Sequence, residues 1–215
     1  MHLPYTPPAH TGLDIVFQDK HLLVVNKPAG LLAVSGRGAD KQDCLATRVQ
    51  AEFSDALIVH RLDMATSGLL LFARGVAMQR ALSGLFEQRE IEKRYVALVA
   101  GKLAQMAGDI DLPLGADWVN RPRQRVDFER GKAALTRYTL LRNDQQTDAS
   151  LVALEPITGR THQLRVHLAA IGHPILGDTL YEGRPASRLH LHAETLCFIH
   201  PVTEKWLILH SDVPF

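Results

Sequence analysis

The sequence predicts an α+β fold built on a mixed, mostly antiparallel sheet with flanking helices. Three observations support this prediction. Segments with the apolar patterns of strands outnumber segments with helical spacing. The strand segments come largely as neighbouring pairs around short polar turns, which is typical of antiparallel pairing. Strand and helix do not alternate regularly, so a doubly wound parallel sheet is not indicated.

The first part of the chain supplies strands and two helices. Residues 14–28, DIVFQDKHLLVVNKP, predict two short strands around a polar turn, and Pro28 ends the second because proline cannot donate a ladder hydrogen bond. Apolar residues recur four apart in 41–53, which predicts a helix, and residues 77–91 predict a second, amphipathic helix. Between these helices, IVHRLDMATSGLLLFA at 58–73 predicts a strand, a turn and another strand.

The rest of the chain predicts more strands and one helix. Strands are predicted at 93–101, in a hairpin at 136–159 with a polar loop near 143–149, and at 188–201 and 205–211. RTHQLRVHLAAIGHP places Leu164, Leu168 and Ile171 on one face of a helix that ends before Gly172. Residues 115–137 show little apolar periodicity, so an irregular segment is predicted there.

Composition limits the domain organisation and the location. Residues 1–13 are predicted to form a proline-rich surface arm and residues 14–215 a single domain, because no repeat or linker divides them. The net charge of +1 means that any surface for nucleic acid must be local. Cys44 and Cys197 lie far apart, which argues against a disulfide framework and favours a cytoplasmic location. No apolar run or leader pattern predicts a membrane segment.

No cofactor and no metal are predicted. The glycine motifs that bind dinucleotides or nucleoside triphosphates are absent. A zinc site would have to use side chains of the last strands, namely His190, His192, Cys197 and His200. Two histidines spaced i, i+2 on a strand without an acidic companion indicate zinc only weakly. Hydrolysis of a glycosidic bond normally needs two carboxylates, and no second acid accompanies Asp63 in the sequence.

Asp63 is a single carboxylate between two apolar strand segments, where an unpaired charge is costly. Two interpretations are open. Asp63 caps a turn through Ala65 or Thr66, as aspartate often does, or it is a reactive carboxylate kept ionised by a cation. Arg61 lies two residues away, but a partner from elsewhere is favoured. Arg165 is the candidate, because the predicted helix places it opposite the apolar face.

The segment from Val119 to Lys132 is the most basic part of the chain. It carries five basic and two acidic residues, a net charge of +3: Arg121, Arg123, Arg125, Arg130 and Lys132 against Asp127 and Glu129. It is either an ordinary solvated loop or a surface that grips the phosphates of an RNA hairpin. Tyr95 also has two interpretations, as a core aromatic of a strand or as a ring that stacks on a base.

The motif HRLDMATSGLLLFA closely matches the pattern HRLDxxTSG, so the sequence resembles the RluA family of pseudouridine synthases. Further blocks agree with that family: LLVVNKPAGLLAV, EKRYVALV, LEPITGRTHQLRVHLAAIGHPILGD and RLHLHA. The resemblance implies the pseudouridine synthase fold, with a mixed sheet and a central active-site cleft. Many family members carry an N-terminal S4-type RNA-binding domain, whereas this chain is expected to have none.

The resemblance also implies roles for four residues. Asp63 corresponds to the catalytic aspartate, and Arg165 to the basic residue that pairs with it. Tyr95 corresponds to the active-site tyrosine, which stacks on the target uracil and is a candidate base for the proton on C5. Arg61 occupies the position from which the family pushes a side chain into the RNA stack as the uridine leaves it.

The reaction implied by the resemblance is the isomerisation of uridine to pseudouridine without a cofactor. Three roles of Asp63 stay open: it attacks C1′ of the ribose, it attacks C6 of the ring, or it removes the C2′ proton. The likeness is greatest to members that act on stem-loops of 23S ribosomal RNA and transfer RNA, with tRNA-specific relatives as the alternative. No obligate protein partner is expected. A non-catalytic RNA-binding module and an RNA N-glycosidase are the competing hypotheses.

Overall fold

A computed structural model describes residues 5–144 and 146–215. The strands are β1 (Ile15–Gln18), β2 (Leu22–Lys27), β3 (Ala56–Ile58), β4 (Ser67–Arg74), β5 (Glu92–Ala100), β6 (Ala107–Asp111), β7 (Leu114–Ala116), β8 (Gln124–Val126), β9 (Leu135–Asp144), β10 (Ala149–Pro156), β11 (Leu191–Ile199) and β12 (Trp206–His210). The helices are α1 (Leu45–Glu52), α2 (Val76–Gln88) and α3 (Gln163–Ala170), with a short 3-10 helix at Ala39–Lys41.

The chain divides into two compact units. The first unit contains the residues up to Glu92 together with Ala193–Pro214. The second unit contains Lys93–His192 and the terminal Phe215. The prediction of one domain for 14–215 stays a prediction.

In the first unit the strand order is β1, β2, β4, β11, with β3 also paired to β4 and β12 to β11. The pairings of β2 with β1 and β4, of β3 with β4 and of β11 with β12 are antiparallel. Strand β4 is buried along nearly its whole length because the run SGLLLFA offers apolar or small side chains to both faces. Its core cluster includes Leu22, Val24, Leu69, Leu71, Met78, Leu82, Leu196, Phe198 and Leu209.

In the second unit the strand order is β5, β10, β9, β6, and each of these pairings is antiparallel. Strands β7 and β8 form a separate two-stranded antiparallel sheet. A smaller core joins this sheet to α3, and its buried members are Leu114, Ala134, Val166 and Tyr181.

The structure confirms the predicted α+β class and the predicted helices. Helix α3 ends at Ala170, and Gly172 follows with a φ of +83°, as its position after the helix requires. The predicted hairpin is β9 and β10, although its loop includes residue 145, which lies outside the described residues. Strands β6, β7 and β8 were not predicted. Because β8 and most of β7 lie within residues 115–137, that segment is less irregular than expected.

The described part of the predicted arm, residues 5–13, has no helix or strand but is fixed to the first unit. The Tyr5 hydroxyl donates to the Asp43 carbonyl and accepts from the Leu32 N–H, both at 3.0 Å. Arg48 donates to the Pro8 carbonyl at 2.7 Å. Residues 1–4 of the predicted arm lie outside the described residues.

Candidate active site

Asp63 lies in the loop that joins β3 to β4 in the first unit. The residue is half-buried, and its neighbours Leu62 and Thr66 are buried. The main-chain N–H of Thr66 donates to the main-chain oxygen of Asp63 at 3.2 Å, so the chain turns here as predicted. This bond fixes the backbone of Asp63, whereas the chemical role of its carboxylate stays a prediction.

Lys27, the last residue of β2, holds this loop by a buried ammonium group. Its side chain is 0% exposed. The ammonium donates to main-chain carbonyl oxygens of Pro28 (2.9 Å), Leu31 (2.7 Å) and Met64 (3.1 Å). The N–H of Gly30 also donates to Met64 O, at 2.9 Å. Because a buried ammonium is tolerated only when its donors are satisfied, Lys27 fixes the residue that follows Asp63. Lys27 was missed in the sequence, although a lysine at the end of an apolar strand is a visible signal.

His60 fixes the other side of the same loop. Its Nε2 accepts a hydrogen bond from the Leu71 N–H in β4 at 2.9 Å. Its ring packs against Phe86 of α2, with the ring centroids 4.6 Å apart. Arg61, the next residue, is exposed, and its predicted contact with RNA stays a prediction.

Gly68 lets the chain leave this loop into β4. Its φ of +112° lies in a region that L side chains rarely adopt. A Cβ atom at this position would also clash with the main chain of Ala193. Both facts exclude other residues, which gives a physical reason for the glycine of the TSG motif.

Arg165 and Asp178 form a buried, bidentate ion pair in the second unit. The Arg165 Nε lies 2.7 Å from Oδ2 of Asp178, and its Nη2 lies 2.7 Å from Oδ1. The exposed fractions of the two side chains are 5% and 0%. The N–H groups of Leu180 and Tyr181 also donate to Oδ1 of Asp178. The carboxylate therefore compensates the buried charge of Arg165 and fixes the plane of its guanidinium.

The surroundings of Arg165 differ from the expectation in one respect. Arg165 was expected opposite the apolar face of its helix, whereas every residue of α3 from Gln163 to Leu168 is buried. A helix buried on all sides must satisfy its polar side chains internally, and Asp178 does so for Arg165. Asp178 was not predicted, although it stands in the ILGD end of a motif block. The predicted pairing of Arg165 with Asp63 stays a prediction.

Tyr181 links this ion pair to β8. Its hydroxyl accepts a hydrogen bond from the Gln124 N–H at 2.8 Å and lies 2.7 Å from Nδ1 of His162. The guanidinium carbons of Arg165 and Arg123 lie 5.1 Å and 5.5 Å from the centroid of its ring. One tyrosine therefore contacts the start of α3, the ion pair and the β7–β8 sheet.

A buried polar network fixes α3. The Gln163 amide donates to Oγ1 of Thr136 at 3.0 Å, and this oxygen lies 2.9 Å from Nδ1 of His167. The His167 Nε2 lies 3.0 Å from the Leu112 carbonyl oxygen, which can only accept. Burial lowers the pKa of His167, and the hydrogen bond to Leu112 offsets part of this shift. Nε2 therefore donates to Leu112, and the lowered pKa favours the neutral imidazole, in which Nδ1 accepts from Thr136.

Tyr95 lies in β5, where it is paired in register with Leu154 of β10. The residue is half-buried, with exposed Arg94 before it and buried Val96 after it. Its position combines strand packing with partial access to solvent. Its predicted stacking on a uracil stays a prediction.

Four of the predicted RNA-binding residues lie on a segment that we call the basic hairpin, residues 114–132, which contains β7 and β8. Arg121, Arg125 and Lys132 are exposed, and Arg123 is half-buried. Arg125 forms an ion pair with Asp127 at 3.3 Å. The structure thus places the four residues on one hairpin of the second unit, and their contact with RNA stays a prediction.

The histidines considered for zinc have other surroundings. Within residues 5–144 and 146–215, no three His, Cys, Asp or Glu side chains lie together as potential metal ligands. Nε2 of His200 lies 3.1 Å from Oδ2 of Asp19.

The helices in the described part of the chain are all too short or too polar to cross a membrane.

Comparison with known proteins identifies the family. A family profile described as RNA pseudouridylate synthase matches residues 21–170. The dual-specificity RNA pseudouridine synthase RluA of Pasteurella multocida (strain Pm70) is 49% identical over 217 residues, which cover 99% of both chains. The protein of the same name from Escherichia coli (strain K12) is 50% identical over 98% of both chains.

Solved structures agree with the sequence matches. The human RNA pseudouridylate synthase domain containing 1 superposes with a TM-score of 0.81 at 30% identity, covering 98% of this chain and 87% of that one. The human RNA pseudouridylate synthase domain containing 4 gives a TM-score of 0.74 at 27% identity, covering 93% and 88%. The chain belongs to the RNA pseudouridylate synthase family. Close relatives carry the name RluA, so the predicted family and its fold are confirmed.

Proposed function

We propose that this protein isomerises specific uridines of RNA to pseudouridine and that Asp63 is its catalytic carboxylate. The observation that carries the proposal is the family match over residues 21–170, which includes the loop around Asp63. Relatives of nearly full length are named RNA pseudouridine synthases, which supports the same reaction. The main-chain bonds of the loop and the buried ammonium of Lys27 support a fixed position for the residue.

The reaction breaks the bond from C1′ to N1, turns the freed uracil and forms a bond from C1′ to C5. N1 gains a proton and C5 loses one, so no co-reactant is consumed. Water must not attack C1′ between the breaking of the old bond and the formation of the new one. One carboxylate is therefore enough, since a second could activate water and favour hydrolysis. Asp63 attacks C1′ or C6, or removes the C2′ proton.

Three further residues serve this reaction in the proposal. Tyr95 stacks on the uracil and takes the proton from C5. Arg165 keeps the catalytic carboxylate ionised, and its own orientation is set by Asp178. Arg61 fills the RNA stack after the uridine has been flipped out, because a stacked base cannot be reached by an enzyme.

The proposed substrates are stem-loops of 23S ribosomal RNA and transfer RNA. The words "dual-specificity" in the names of the relatives support more than one RNA. Arg121, Arg123, Arg125 and Lys132 of the basic hairpin bind phosphates, because solvent-accessible cations on one hairpin suit a folded RNA that is recognised by shape. These substrates place the protein in the cytoplasm.

The test uses purified Asp63→Asn protein and RNA whose uridines carry tritium on C5. Formation of pseudouridine releases that tritium to water, so the wild type releases it and the variant does not. Asp55→Asn is the matched control, because Asp55 is an exposed aspartate that pairs with Arg74 in the same unit. A normal release rate in Asp63→Asn would show that another group is the catalyst. Wild-type protein that binds the stem-loops without releasing tritium would indicate a binding module.

A further inference from the structure

Three exposed apolar side chains mark the basic hairpin. Trp118, Val119 and Phe128 are 70%, 92% and 78% exposed. Single exposed apolar residues are ordinary on protein surfaces and need no explanation. Two exposed aromatic rings on one short hairpin are different, because each leaves a large apolar surface in water that contact with a ligand would bury.

Trp118 is already part of a stacked pair. The guanidinium carbon of Arg121 lies 3.6 Å from the centroid of the indole ring, a close cation–π contact. Since 70% of Trp118 is still exposed, the indole keeps a large surface open to solvent. A ring held on one face by a planar cation offers a flat surface for another planar group.

Hydrogen bonds within the loop from β7 to β8 hold this pair in place. The carboxylate of Asp117 accepts from the Asn120 amide side chain at 2.8 Å and from its N–H at 3.2 Å. The side-chain hydrogen bond from Asn120 keeps the pKa of Asp117 below its ordinary value. Main-chain bonds join Asp117 N–H to Arg123 O and Arg123 N–H to Asn120 O, both at 3.0 Å. An ordered loop loses less conformational entropy when it binds a ligand.

The charges around the pair favour an anionic ligand. Two of the three acidic side chains are engaged within the hairpin, Asp117 with Asn120 and Asp127 with the N–H groups of Glu129 and Arg130 and with Arg125. The hydrogen bond from Arg130 is the main reason that the pKa of Asp127 is lowered. The arginines around Trp118 are exposed or half-buried. A ligand for this surface has a flat apolar face and carries negative charge.

We propose that Trp118, backed by Arg121, is a stacking platform for one unpaired nucleobase of the RNA substrate, with Phe128 as an accessory ring. Nucleobases are planar, and the phosphates on each side of the base supply the negative charge that the arginines attract. The inference rests on the proposed function, because it assigns a binding position to the same RNA. It adds a contact with a base at a position other than the reacting uridine.

The first experiment measures fluorescence from Trp118 alone. The chain has two tryptophans, Trp118 and Trp206, so Trp206→Phe leaves Trp118 as the single reporter. Titration with the stem-loops of a transfer RNA, one at a time, is expected to show quenching of that emission by a stem-loop that binds, because a stacked base is an efficient quencher. Quenching that is absent while the RNA binds would overturn the proposal, and so would quenching by polyphosphate alone.

The second experiment measures RNA affinity for Trp118→Ala, Trp118→Phe and the control Trp206→Ala. Trp206 lies on β12 and is 51% exposed, so it matches Trp118 as an exposed indole. Loss of a base–aromatic stack weakens binding by about 5- to 150-fold on alanine substitution. Trp118→Phe keeps a ring and is expected to retain most of the affinity, whereas Trp206→Ala binds as the wild type does.

A series of stem-loops with one abasic nucleotide each distinguishes a base contact from a backbone contact. At the position that stacks on Trp118, the abasic RNA is expected to bind wild type and Trp118→Ala equally. If Trp118→Ala is weaker at every position, the contact is with the backbone and the stacking proposal fails. If Trp118→Ala binds normally while wild type forms pseudouridine, only this inference fails. If stacking is found but no tritium is released from C5, only the proposed catalysis fails.

Discussion

Arg165 and Asp178 face each other through two hydrogen bonds of 2.7 Å, and neither side chain is more than 5% exposed. In such a pair, each charge is tolerated because the other is present. The pair also receives N–H donors from the main chain, so the aspartate is held independently of the arginine. This relationship makes the substitution of Asp178 informative.

We expect Asp178→Ala to lower the free energy of unfolding by about 3–5 kcal/mol, because it removes the bidentate carboxylate partner of the buried Arg165 charge. Asp178→Asn, which keeps the shape and one acceptor, is expected to cost less. The control is Asp109→Ala, whose exposed pair with Arg137 spans 3.6 Å and is worth at most about 1 kcal/mol. Urea unfolding measures all three. Equal losses for Asp178→Ala and Asp109→Ala would contradict the importance of the buried pair.

Lys27→Met is expected to reduce both stability and turnover. The substitution leaves the carbonyls of Pro28, Leu31 and Met64 without the ammonium donor, at about 1–3 kcal/mol for each group that stays unsatisfied. Because Met64 follows Asp63, tritium release should fall more than RNA affinity does. Lys20→Met, at an exposed position of the same unit, is the control. A folded Lys27→Met protein with a normal turnover would remove Lys27 from the positioning of the loop.

Arg121→Ala combined with Arg123→Ala is expected to weaken RNA binding and to flatten its salt dependence. Each lost phosphate contact lowers the slope of log affinity against log salt by about one. The measurement is RNA affinity over a range of salt concentrations, with Arg137→Ala as a control because Arg137 is exposed outside the basic hairpin. An unchanged slope in the double variant would exclude this hairpin from the interface.

The stability of the protein is expected to fall as the pH is lowered through the range in which His167 titrates. Burial holds the pKa of His167 below its ordinary value of 6.5, so the unfolded chain binds the proton more readily than the native protein does. The contribution is complete above about pH 6.5 and is lost as the pH falls from there through the lowered pKa. His167→Gln should make the pH dependence of urea unfolding shallower. A pH dependence that stays as steep in His167→Gln would show that another group dominates the pH dependence of stability.

The sequence predicted the elements whose own residues carry a clear period. Leu45 and Val49 recur at helical spacing and are buried in α1, and the apolar run of β4 is buried throughout. Strands β7 and β8 have the sequences LGA and QRV, which carry no such period. They form because Leu114 packs with Val166 and Tyr181, residues that are distant in the sequence.

The candidate site was predicted only in part, because local sequence patterns reveal its motif residues but not the distant residues that contact them. The residues quoted in the motifs gave Asp63, Tyr95 and Arg165, but the contacts that hold them depend on how loops return in space. Met64 O meets Lys27 across 37 positions, and Asp178 reaches Arg165 only because the chain turns back after α3. The spacing of residues along the sequence does not predict which distant residues come into contact.

The division of the chain also bears on the order of its synthesis. The first unit is interrupted, since Ala193–Pro214 completes what the residues up to Glu92 begin. Leu196, Phe198 and Leu209 belong to the same core cluster as Leu22 and Leu69. During synthesis on the ribosome, that apolar surface therefore stays exposed to solvent until β11 and β12 have been made and can pack against it. A stalled or prematurely terminated chain exposes it, which makes such a chain a ready substrate for chaperones and proteases.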